Sequence, residues 1–380
     1  MKLIGNSQRI VSPSATLKRF ANKAKMCGIT RIGDISCLDI TCLPVATAIR
    51  PMAKTLQVSN GKGLTIESAK VSAMMEGIEI YHAESSKGLE THKQSQDKYE
   101  DNSNYYMQEN NSWRRINSEW LNGKHYYYGK IKRVFVSEID VLMYNTVNLN
   151  TSNGLASGNC YEEAVVHGLY ELIERDAIVN NQKSEVHKFM DLTTVQNREI
   201  KQYIKQIEDS GSEIFCRRLM HRSGLYIYET TIVNMSMPNQ LTAIVKGYGC
   251  HQMMSIALLR ALTEAIQSRT TAIHATREDV VKLKKLYVRH PTLDENLMNT
   301  IQKIRKIKKV AFDNKEVEIS HDKNIKQIME ELIYTINKTM KRPCLTIELT
   351  REGIGVPVVK CIIPDINGIK NLEDMRWNSN

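Results

Sequence analysis

The sequence predicts an α+β fold that forms one large domain. Helical and β-branched strand segments are mixed along the whole chain, and they do not follow a strict βαβ alternation. No linker rich in Pro, Gly or Ser divides the 380 residues, so we expect residues 1–380 to form a single domain. The hydrophobic fraction of 42% and the charged fraction of 25% are typical of a globular protein.

The individual elements follow from hydrophobic periodicity and from turn signals. Residues 84–115 are polar and lack apolar periodicity, so we expect an exposed insertion there. In order, the predictions are a helix within 8–27 starting near Ser12-Pro13, two strands within 28–51 with a turn near Asp39, a glycine turn at 58–63, a helix over 66–82, a hairpin turning at Asn122-Gly123, a helix from Asn159, a helix over 197–210, strands at 214–218, 225–233 and 241–247, helices over 253–275, 297–309 and 322–340, and strands at 344–350 and 356–363.

Several protein classes are disfavoured by composition. No segment approaches the ~20 apolar residues of a membrane helix, and the N-terminus lacks a signal-peptide core, so we expect a cytoplasmic protein. The eight cysteines form no C-x-x-C pair, which argues against a structural zinc site or a disulfide framework. Because H-E-x-x-H is also absent, any metal should be held by oxygen ligands.

The net charge of +10 favours anionic partners, such as nucleic acid, nucleotide phosphates or an acidic peptide. The densest basic run, from Lys303 to Lys309, carries isoleucines at helical spacing, which indicates the solvated face of a helix. No zinc-finger, RNP or basic-zipper pattern accompanies it, so nucleic acid is the weaker alternative.

The stretch from Thr151 to Asp176 is the most informative part of the chain. Asn159 with Glu162 three residues later predicts a capping box that starts a helix. The helix carries one polar stripe, because residues four, eight and eleven positions apart lie on one face. Its members are Glu163, His167, Glu171 and Glu174. This helix alone leaves two interpretations open, a solvated face and a bound cation with the phosphates that it carries.

Two further segments repeat this arrangement of a glycine-containing loop and a polar-striped helix. They are the stretch 58–82, with Lys62 between two glycines, and the stretch 246–269. The polar residues of their helices are Glu76 and Glu79 in the first, and Arg260, Glu264 and Gln267 in the second. Taken alone, Arg260 and Glu264 would be a surface ion pair.

Convergence of the three helices would place up to six carboxylates in one site. That many anions require divalent cations to neutralise them. Mg²⁺ ions bridging a triphosphate would do so, with Lys62, Arg175 and the loop N–H groups contacting the phosphates. The chain has neither the G-x-x-x-x-G-K-[ST] of a P-loop nor the H-R-D and D-F-G of a protein kinase.

Long segments of the chain resemble the motifs of the YcaO family. They are SNGLASGNCYEEAVVHGLYELIERDA, SNGKGLTIESAKVSAMMEGIEIYHAE, RALTEAIQSRTTAIHATRED, RIVSPSATLKRF and GITRIGDISCLDITCLPVATAIRP. The resemblance as a whole runs from about residue 9 to residue 365. The resemblance implies a YcaO-type domain that binds ATP in a Mg²⁺-filled site and activates backbone amides of ribosomally made peptides. An attacking Cys, Ser or Thr side chain would leave an azoline, and an external sulfide would leave a thioamide.

The resemblance also implies roles for individual residues. The Mg²⁺ ligands would be Glu76, Glu79, Glu171, Glu174 and Glu264. The residues contacting the nucleotide or its metals would be Arg9, Thr16, Lys62, Asn159, Glu163, Arg175, Arg260 and Gln267. Among these, Glu163, Arg175 and Arg260 would act on the reacting groups. Ala156 stands where some members carry a serine, so that hydroxyl contact is absent.

The C-terminal sequence bears on the product. Azoline-forming members typically end in a proline-rich tail, whereas the last proline here is Pro364. The ending over 355–364 is more similar to members paired with TfuA-type proteins, which implies thioamide formation. Azoline formation, another amide modification such as amidine formation, and a non-catalytic ATP-binding accessory protein are the alternatives.

The expected partners are a peptide or protein substrate and a leader-binding or TfuA-like protein, because no room for a separate recognition domain is expected outside 9–365. Neither a membrane nor nucleic acid is an expected partner, and a homodimer is left open. Cys160, at the start of the central helix, is interpreted as structural, although helix N-termini lower thiol pKa values.

Overall fold

The structure is a computed structural model of the chain. It describes residues 9–84, 152–181, 188–234, 240–277, 293–314, 323–341, 344–363 and 366, and the backbone of short strands between 91 and 135.

Helices and strands are mixed throughout these residues, which confirms the α+β class. The α-helices described are α1 (Pro13–Met26), α2 (Ile66–Ala83), α3 (Tyr161–Asn181), α4 (Arg198–Asp209), the short α5 (Gln240–Ala243), α6 (Met254–His274), α7 (Leu293–Arg305) and α8 (Ile325–Met340). The strands are β1 (Arg31–Asp34), β2 (Val45–Ile49), β3 (Val58–Lys62), β4 (Thr91–Lys93), β5 (Tyr106–Glu109), β6 (Ser112–Arg115), β7 (Glu119–His125), β8 (Ile131–Phe135), β9 (Leu155–Ser157), β10 (Phe189–Asp191), β11 (Glu213–Arg218), β12 (Tyr226–Val233), β13 (Ile244–His251), β14 (Lys309–Ala311), β15 (Leu345–Glu348) and β16 (Val358–Ile362).

The described strands form three main sheets. The first has the order β1-β2-β3 and is antiparallel. The second has the order β13-β12-β11-β10-β14, in which only the β10–β14 pair is parallel. The third has the order β4-β7-β15-β16-β9, with β8 added to β7. A separate ribbon pairs β5 with β6.

The helices α2, α3 and α6 each pack their apolar side against a different part of this framework. The helix α2 packs with α1 and with β15 and β16, α3 packs with α8 and β16, and α6 packs with α4 and the strands β11 to β13. Representative fully buried members of the three clusters are Met74 and Ile78, Leu169 and Ile173, and Leu262 and Ile266. The three helices that carry the predicted polar stripes therefore all lie inside the fold.

The predicted glycine loops at 58–63 and 246–251 are wrong, because both segments lie in or at the end of strands. A Cβ added to Gly61 of β3 would lie 2.1 Å from the backbone nitrogen of Ala73 in α2. A Cβ on Gly247 of β13 would lie 2.1 Å from the backbone nitrogen of Ala265 in α6. These glycines allow a strand to contact the backbone of the following helix, which is a common reason for glycine inside a strand.

The predicted hairpin turn at Asn122-Gly123 is also wrong. Both residues lie within β7, where they pair with Arg133 and Lys132 of β8. The predicted insertion at 84–115 contains the strands β4, β5 and β6. The exposure of that insertion lies outside the described residues.

Most other element boundaries agree with the predictions to within a few residues. Ser12 caps α1 by accepting from the N–H of Ala15, and Pro13 is the first helical residue. The largest shift is at α7, which ends at Arg305 rather than near residue 309. The segment 241–247 begins with the short helix α5 before β13 starts at Ile244. Ile301 is buried and Lys303 and Arg305 are exposed on α7, as predicted, but the helix ends at Arg305, so Lys306, Lys308 and Lys309 are exposed outside it.

Cys37 and Cys42 form one disulfide, which the cysteine spacing did not indicate. The bridge closes the loop that contains Asp39. Asp39 is buried and accepts from Arg269 Nε of α6 at 3.0 Å. This buried pair attaches the loop to the helix that carries the third polar stripe.

In the part of the chain that the structure describes, no helix is both long and apolar enough to cross a membrane.

Candidate active site

The structure brings the three predicted polar stripes together. The charge of Glu171 in α3 raises the pKa of Glu79 in α2, and the charge of Glu264 in α6 raises the pKa of Glu171. Lys62 at the end of β3 forms an ion pair with Glu264. Carboxylates of three helices therefore lie close enough to influence one another, as the sequence predicted.

Glu79 is the clearest sign of excess negative charge in the site. Burial, together with the charges of Glu76 and Glu171, raises its pKa to about 8, although hydrogen bonds from Ser157 lower it in part. Ser157 donates to Glu79 Oε1 from its hydroxyl at 2.6 Å and from its backbone N–H at 2.8 Å. The strand β9 thus fixes Glu79 in a place where its negative charge is poorly compensated.

The stripe on α3 is not a solvated face. Glu174 is 5% exposed, and burial together with the charge of Glu264 raises its pKa to about 7. Burial also raises the pKa of Glu171, whose carboxylate accepts from the N–H of Gly154 at 3.3 Å. Arg175 follows Glu174, and although burial lowers its pKa, the carboxylates of Glu171, Glu264 and Glu174 outweigh that effect and raise it.

The interpretation of Arg260 and Glu264 as a surface ion pair is wrong. Glu264 is bound to Lys62 of another element, and the two side chains are each 22% exposed. Burial raises the pKa of Glu264, but Lys62 and Arg175 lower it more, so this carboxylate stays ionised. Arg260 contacts His167 of α3 at 3.2 Å. Helix α6 therefore directs both residues toward the other two units.

Gln267 lies one turn further along α6 and contacts β3 rather than an open space. Its Nε2 donates to the carbonyl of Asn60 at 2.5 Å, and Asn60 Nδ2 donates to Thr271 Oγ1 at 2.9 Å. Asn60 is 1% exposed, and its Oδ1 has no hydrogen-bond partner among the described residues. The strand β3 thus contacts α2 through its glycine and α6 through its polar side chains.

The first turn of α3 binds the N-terminal segment. Glu163 accepts from Arg9 Nη1 at 2.8 Å, from the N–H of Ile10 at 3.2 Å, and from Asn159 Nδ2 at 3.0 Å. Burial raises the pKa of Glu163, but Arg9 and these hydrogen bonds lower it more, so the carboxyl is ionised. Thr16 donates to Asn159 Oδ1 at 3.1 Å, which brings α1 to the same point.

The predicted capping box between Asn159 and Glu162 is off by one residue. The backbone N–H of Asn159 donates to Glu163 at 3.3 Å, and α3 begins only at Tyr161. The prediction rested on the spacing of Asn159 and Glu162 in the sequence. In the structure it is Glu163 that accepts from the N–H of Asn159, and the same carboxylate also binds Arg9.

The donor chemistry of this site fits divalent cations and a polyphosphate. Among residues the structure describes, no three acidic, His or Cys side chains are already close enough to enclose an ion. Three of the buried carboxylates, Glu79, Glu171 and Glu174, nevertheless have raised pKa values, which indicates that their ionised forms lack compensation. Cations between the helices would supply that compensation, and oxygen ligands suit Mg²⁺. The residues that could hold them are Glu76, Glu79, Glu171, Glu174 and Glu264.

Sequence patterns did not identify every group that supports the site. Ser157 and Asn60 were missed, because a serine in a small-residue loop and an asparagine next to glycine both indicate turns. One signal was present: the Ala69-x₃-Ala73 and Ala261-x₃-Ala265 spacings each follow a G-x-G segment. Small residues on a helix opposite strand glycines indicate a close backbone contact, and therefore strands rather than loops.

Comparison with known proteins defines first the class of fold and then the family. The structure is similar to that of YcaO from Methanopyrus kandleri bound with AMPPCP and Mg²⁺, with a TM-score of 0.74, 21% identity, and coverage of 96% of this chain and 94% of that one. It is also similar to a heterocyclase in complex with substrate and cofactor, with a TM-score of 0.70 and 16% identity, covering 96% of this chain and 54% of the other. These likenesses show the fold.

The family is shown by sequence. Residues 60–367 match the family described as YcaO cyclodehydratase, ATP- and Mg²⁺-binding. An uncharacterised protein of Methanothermobacter thermautotrophicus is 32% identical over 377 residues, covering 94% of each chain. The chain belongs to the YcaO family. The resemblance stated from the motifs is therefore confirmed, and ATP and Mg²⁺ as cofactors agree with the family's description.

Two further relatives are similar to this chain over most of its length. A protein encoded in the tfuA 3′ region of Rhizobium leguminosarum bv. trifolii is 30% identical over 297 residues, covering 71% of this chain and 69% of its own length. A protein of Mycobacterium tuberculosis is 31% identical over 287 residues, covering 72% of this chain and 64% of its own length.

Proposed function

We propose that the protein catalyses ATP-dependent replacement of a backbone amide oxygen by sulfur in a ribosomally synthesised peptide or protein. The single observation that supports this best is the convergence of buried, uncompensated carboxylates with Lys62, Arg175 and Arg260 from three helical units. Such a site stabilises a polyphosphate with its metals and needs no protein nucleophile.

The proposed roles follow the charges in the structure. The five carboxylates that could hold Mg²⁺ are Glu76, Glu79, Glu171, Glu174 and Glu264. Arg175 and Arg260 would contact the phosphates and the reacting groups, because both cations lie beside these carboxylates. The first-turn group of Arg9, Thr16, Asn159 and Glu163, together with Lys62, would bind the rest of the nucleotide. Gln267 would exchange its contact with the carbonyl of Asn60 for one with the nucleotide.

The overall reaction balances with sulfide as the sulfur donor. Sulfide adds to the amide carbon, and the amide oxygen forms a bond to the γ-phosphorus of ATP while the bond to ADP breaks. The C–O bond then breaks, the oxygen leaves as part of phosphate, and a thioamide remains. The sulfide proton accompanies phosphate. No electrons are transferred, because the carbon keeps its oxidation state.

The choice of sulfur as the nucleophile is supported by two observations. A relative with 30% identity is encoded in a tfuA 3′ region, and the sequence of residues 355–364 resembles that of TfuA-paired members. We therefore propose a TfuA-like partner that supplies sulfur, together with a peptide or protein substrate.

Azoline-forming cyclodehydration is the second candidate. It is supported by the description of the family as a cyclodehydratase. In that reaction the nucleophile is a Cys, Ser or Thr side chain of the substrate, and one water is lost.

The product mass distinguishes the two candidates. The purified chain is incubated with Mg·ATP, sulfide, a TfuA-like protein and the peptides encoded near its gene, and the products are examined by mass spectrometry. Thioamide formation predicts the mass increase of one oxygen replaced by one sulfur, with release of ADP and phosphate. Loss of one water would instead identify cyclodehydration.

A matched pair of variants serves as the control. Glu174→Gln removes one negative charge from the proposed metal site with little change in shape, whereas Glu67→Gln changes an exposed carboxylate in the first turn of α2. We expect the first variant to lose product and the second to retain it. Full product formation by Glu174→Gln, or no mass change with wild-type protein, would contradict the proposal.

A further inference from the structure

The side chain of Arg260 starts on α6 opposite Gly249 of β13, which has no side chain. A Cβ added to Gly249 of β13 would lie 2.8 Å from the Cβ of Arg260 and 2.1 Å from the carbonyl oxygen of Ala257. Any larger residue at position 249 would therefore collide with the base of the arginine or with the helix backbone. The absence of a side chain at Gly249 therefore leaves room for the Cβ of Arg260.

The guanidinium group of Arg260 contacts the ring of His167. Arg260 Nη2 lies 3.2 Å from His167 Nδ1. A guanidinium group has N–H donors and no acceptor, so Nδ1 must be the acceptor and the ring proton must be on Nε2. Burial and the positive charges of Arg260 and Arg9 also lower the pKa of His167 well below its usual value. The imidazole is therefore neutral in the folded protein.

His167 lies at the centre of the polar stripe on α3. It is four residues after Glu163 and four residues before Glu171, about one helical turn from each. A guanidinium held on His167 is thus placed between the first-turn group that binds Arg9 and the carboxylates near Arg175. In the proposed function, this is the centre of the nucleotide site.

We infer that His167 is a positioning residue that orients Arg260 toward the nucleotide phosphates without cancelling its charge. This inference rests on the proposed function, since the phosphates are the anion that Arg260 would meet. A carboxylate at position 167 would hold the arginine in a salt bridge and compete with phosphate for it. A lysine would repel it. A neutral acceptor fixes the direction of the guanidinium and leaves its full positive charge for the ligand.

The main test compares four proteins for binding of Mg·AMPPCP by titration calorimetry: wild type, His167→Leu, His167→Asn and His167→Asp. Leucine has no acceptor, and we expect Kd to rise by about tenfold, the usual size of one hydrogen bond to a charged group. Asparagine places Oδ1 near the position of Nδ1, so we expect a Kd within about threefold of wild type. Aspartate keeps the acceptor but adds a negative charge, so we expect binding at least as weak as with leucine.

A purely structural histidine predicts a different order. Its loss would lower the unfolding temperature, and asparagine and aspartate would impair binding equally, since they have the same shape. Unfolding temperatures without nucleotide are therefore measured for all four proteins. If His167→Leu fails to fold, the comparison of His167→Asn with His167→Asp still tests the inference. Equal Kd values for these two variants would overturn it.

A double-mutant cycle asks whether His167 acts through Arg260. Arg260→Met removes the guanidinium, and His167→Leu in that background should cause no further loss of affinity. Additive losses would show that His167 acts independently of Arg260 and would overturn the inference. Wild-type protein that does not bind Mg·AMPPCP would contradict the proposed function and the inference with it.

The ring tautomer gives a readout that needs no ligand. Histidine labelled with ¹⁵N is introduced, and the signal of His167 is identified by its absence in His167→Asn. We expect a neutral ring with the proton on Nε2 at neutral pH. A proton on Nδ1 is incompatible with a hydrogen bond from Arg260 and would overturn the inference.

Discussion

The β3–α2 and β13–α6 units share one backbone contact and differ in what they bring to the site. In both, a strand glycine faces an alanine of the following helix so closely that a Cβ would lie 2.1 Å from the alanine nitrogen. The pairs are Gly61 with Ala73 and Gly247 with Ala265. The same local packing thus occurs twice, in two units that contact each other through Lys62 and Glu264.

The side chain next to each glycine is where the two units differ. Lys62 and Tyr248 each stand between two glycines, and side chains alternate along a strand, so both point away from the helix of their own unit. Lys62 reaches Glu264 of the other unit, whereas Tyr248 is the cross-strand partner of Glu229 in β12. Glycine and alanine therefore determine the backbone packing. The residue between the glycines takes no part in that packing and contacts other elements instead.

The largest expected effect comes from adding a methyl group at the shared contact. Gly61→Ala and Gly247→Ala should each lower the free energy of unfolding by about 3 kcal/mol or more, because the backbone of the helix must move away. Urea denaturation measures this loss. Similar losses in the two variants would support the equivalence of the two units.

Gly353→Ala is the matched control for that experiment. No atom lies within 4 Å of the position that a Cβ would take at Gly353, so the change should be within about 0.5 kcal/mol. A large loss in only one of the two strand variants would show that the units are packed differently.

The second effect concerns the carboxylates of the two units, which titrate in opposite directions. Burial raises the pKa of Glu79 in α2 to about 8, whereas Lys62 and Arg175 overcome burial and lower the pKa of Glu264 in α6. A raised folded-state pKa means that the folded protein binds more protons than the unfolded chain between about pH 4.5 and about pH 8. Its stability must then fall as the pH rises through that window.

Glu79→Gln should remove this fall in stability. Glutamine keeps an oxygen that can accept from Ser157 but has no charge. In the absence of Mg²⁺, we expect the variant to exceed wild type by on the order of a few kcal/mol near pH 8 and to match it near pH 5. Glu67→Gln on the same helix is the control. Equal pH profiles for Glu79→Gln and wild type would contradict the burial of an uncompensated charge.

The smallest effect should come from the residues between the glycines. Lys62→Met leaves Glu264 without its ion-pair partner, so a double-mutant cycle with Glu264→Gln should give a coupling free energy of about 1 kcal/mol. Tyr248→Phe removes only a hydroxyl at the equivalent place and should cost less than about 0.5 kcal/mol. Thermal unfolding followed by circular dichroism measures both. A zero coupling for Lys62 and Glu264 would mean that the contact is fully screened by solvent.

Helical periodicity was the most reliable source of information in the sequence. It predicted the helices α1, α2, α4, α6 and α8 to within about three residues, because their apolar stripes face a packed core. It also identified the polar stripes of α2, α3 and α6. The burial of Glu163 and Glu174 could not be read from one helix, since a carboxylate stripe is equally compatible with solvent.

Glycine was the main source of error. Gly61, Gly247 and Gly123 were interpreted as turn residues, because glycine at a turn and glycine in a strand give the same local signal. Only the partner element distinguishes them, and that partner lies elsewhere in the sequence. For the same reason, the contact of Arg260 with His167 could not be predicted, since 93 residues separate the two.

The short edge strand β9 makes the position of Glu79 depend on a strand far away in the sequence. It carries Ser157, which fixes Glu79, and among the described strands it pairs only with β16, where Ser157 lies opposite Val358. More than half of the chain separates these two residues, so the contact has a high sequence separation. A chain that ended before residue 358 would lack the strand against which β9 pairs, and Glu79 would lose the fixed position that Ser157 gives it.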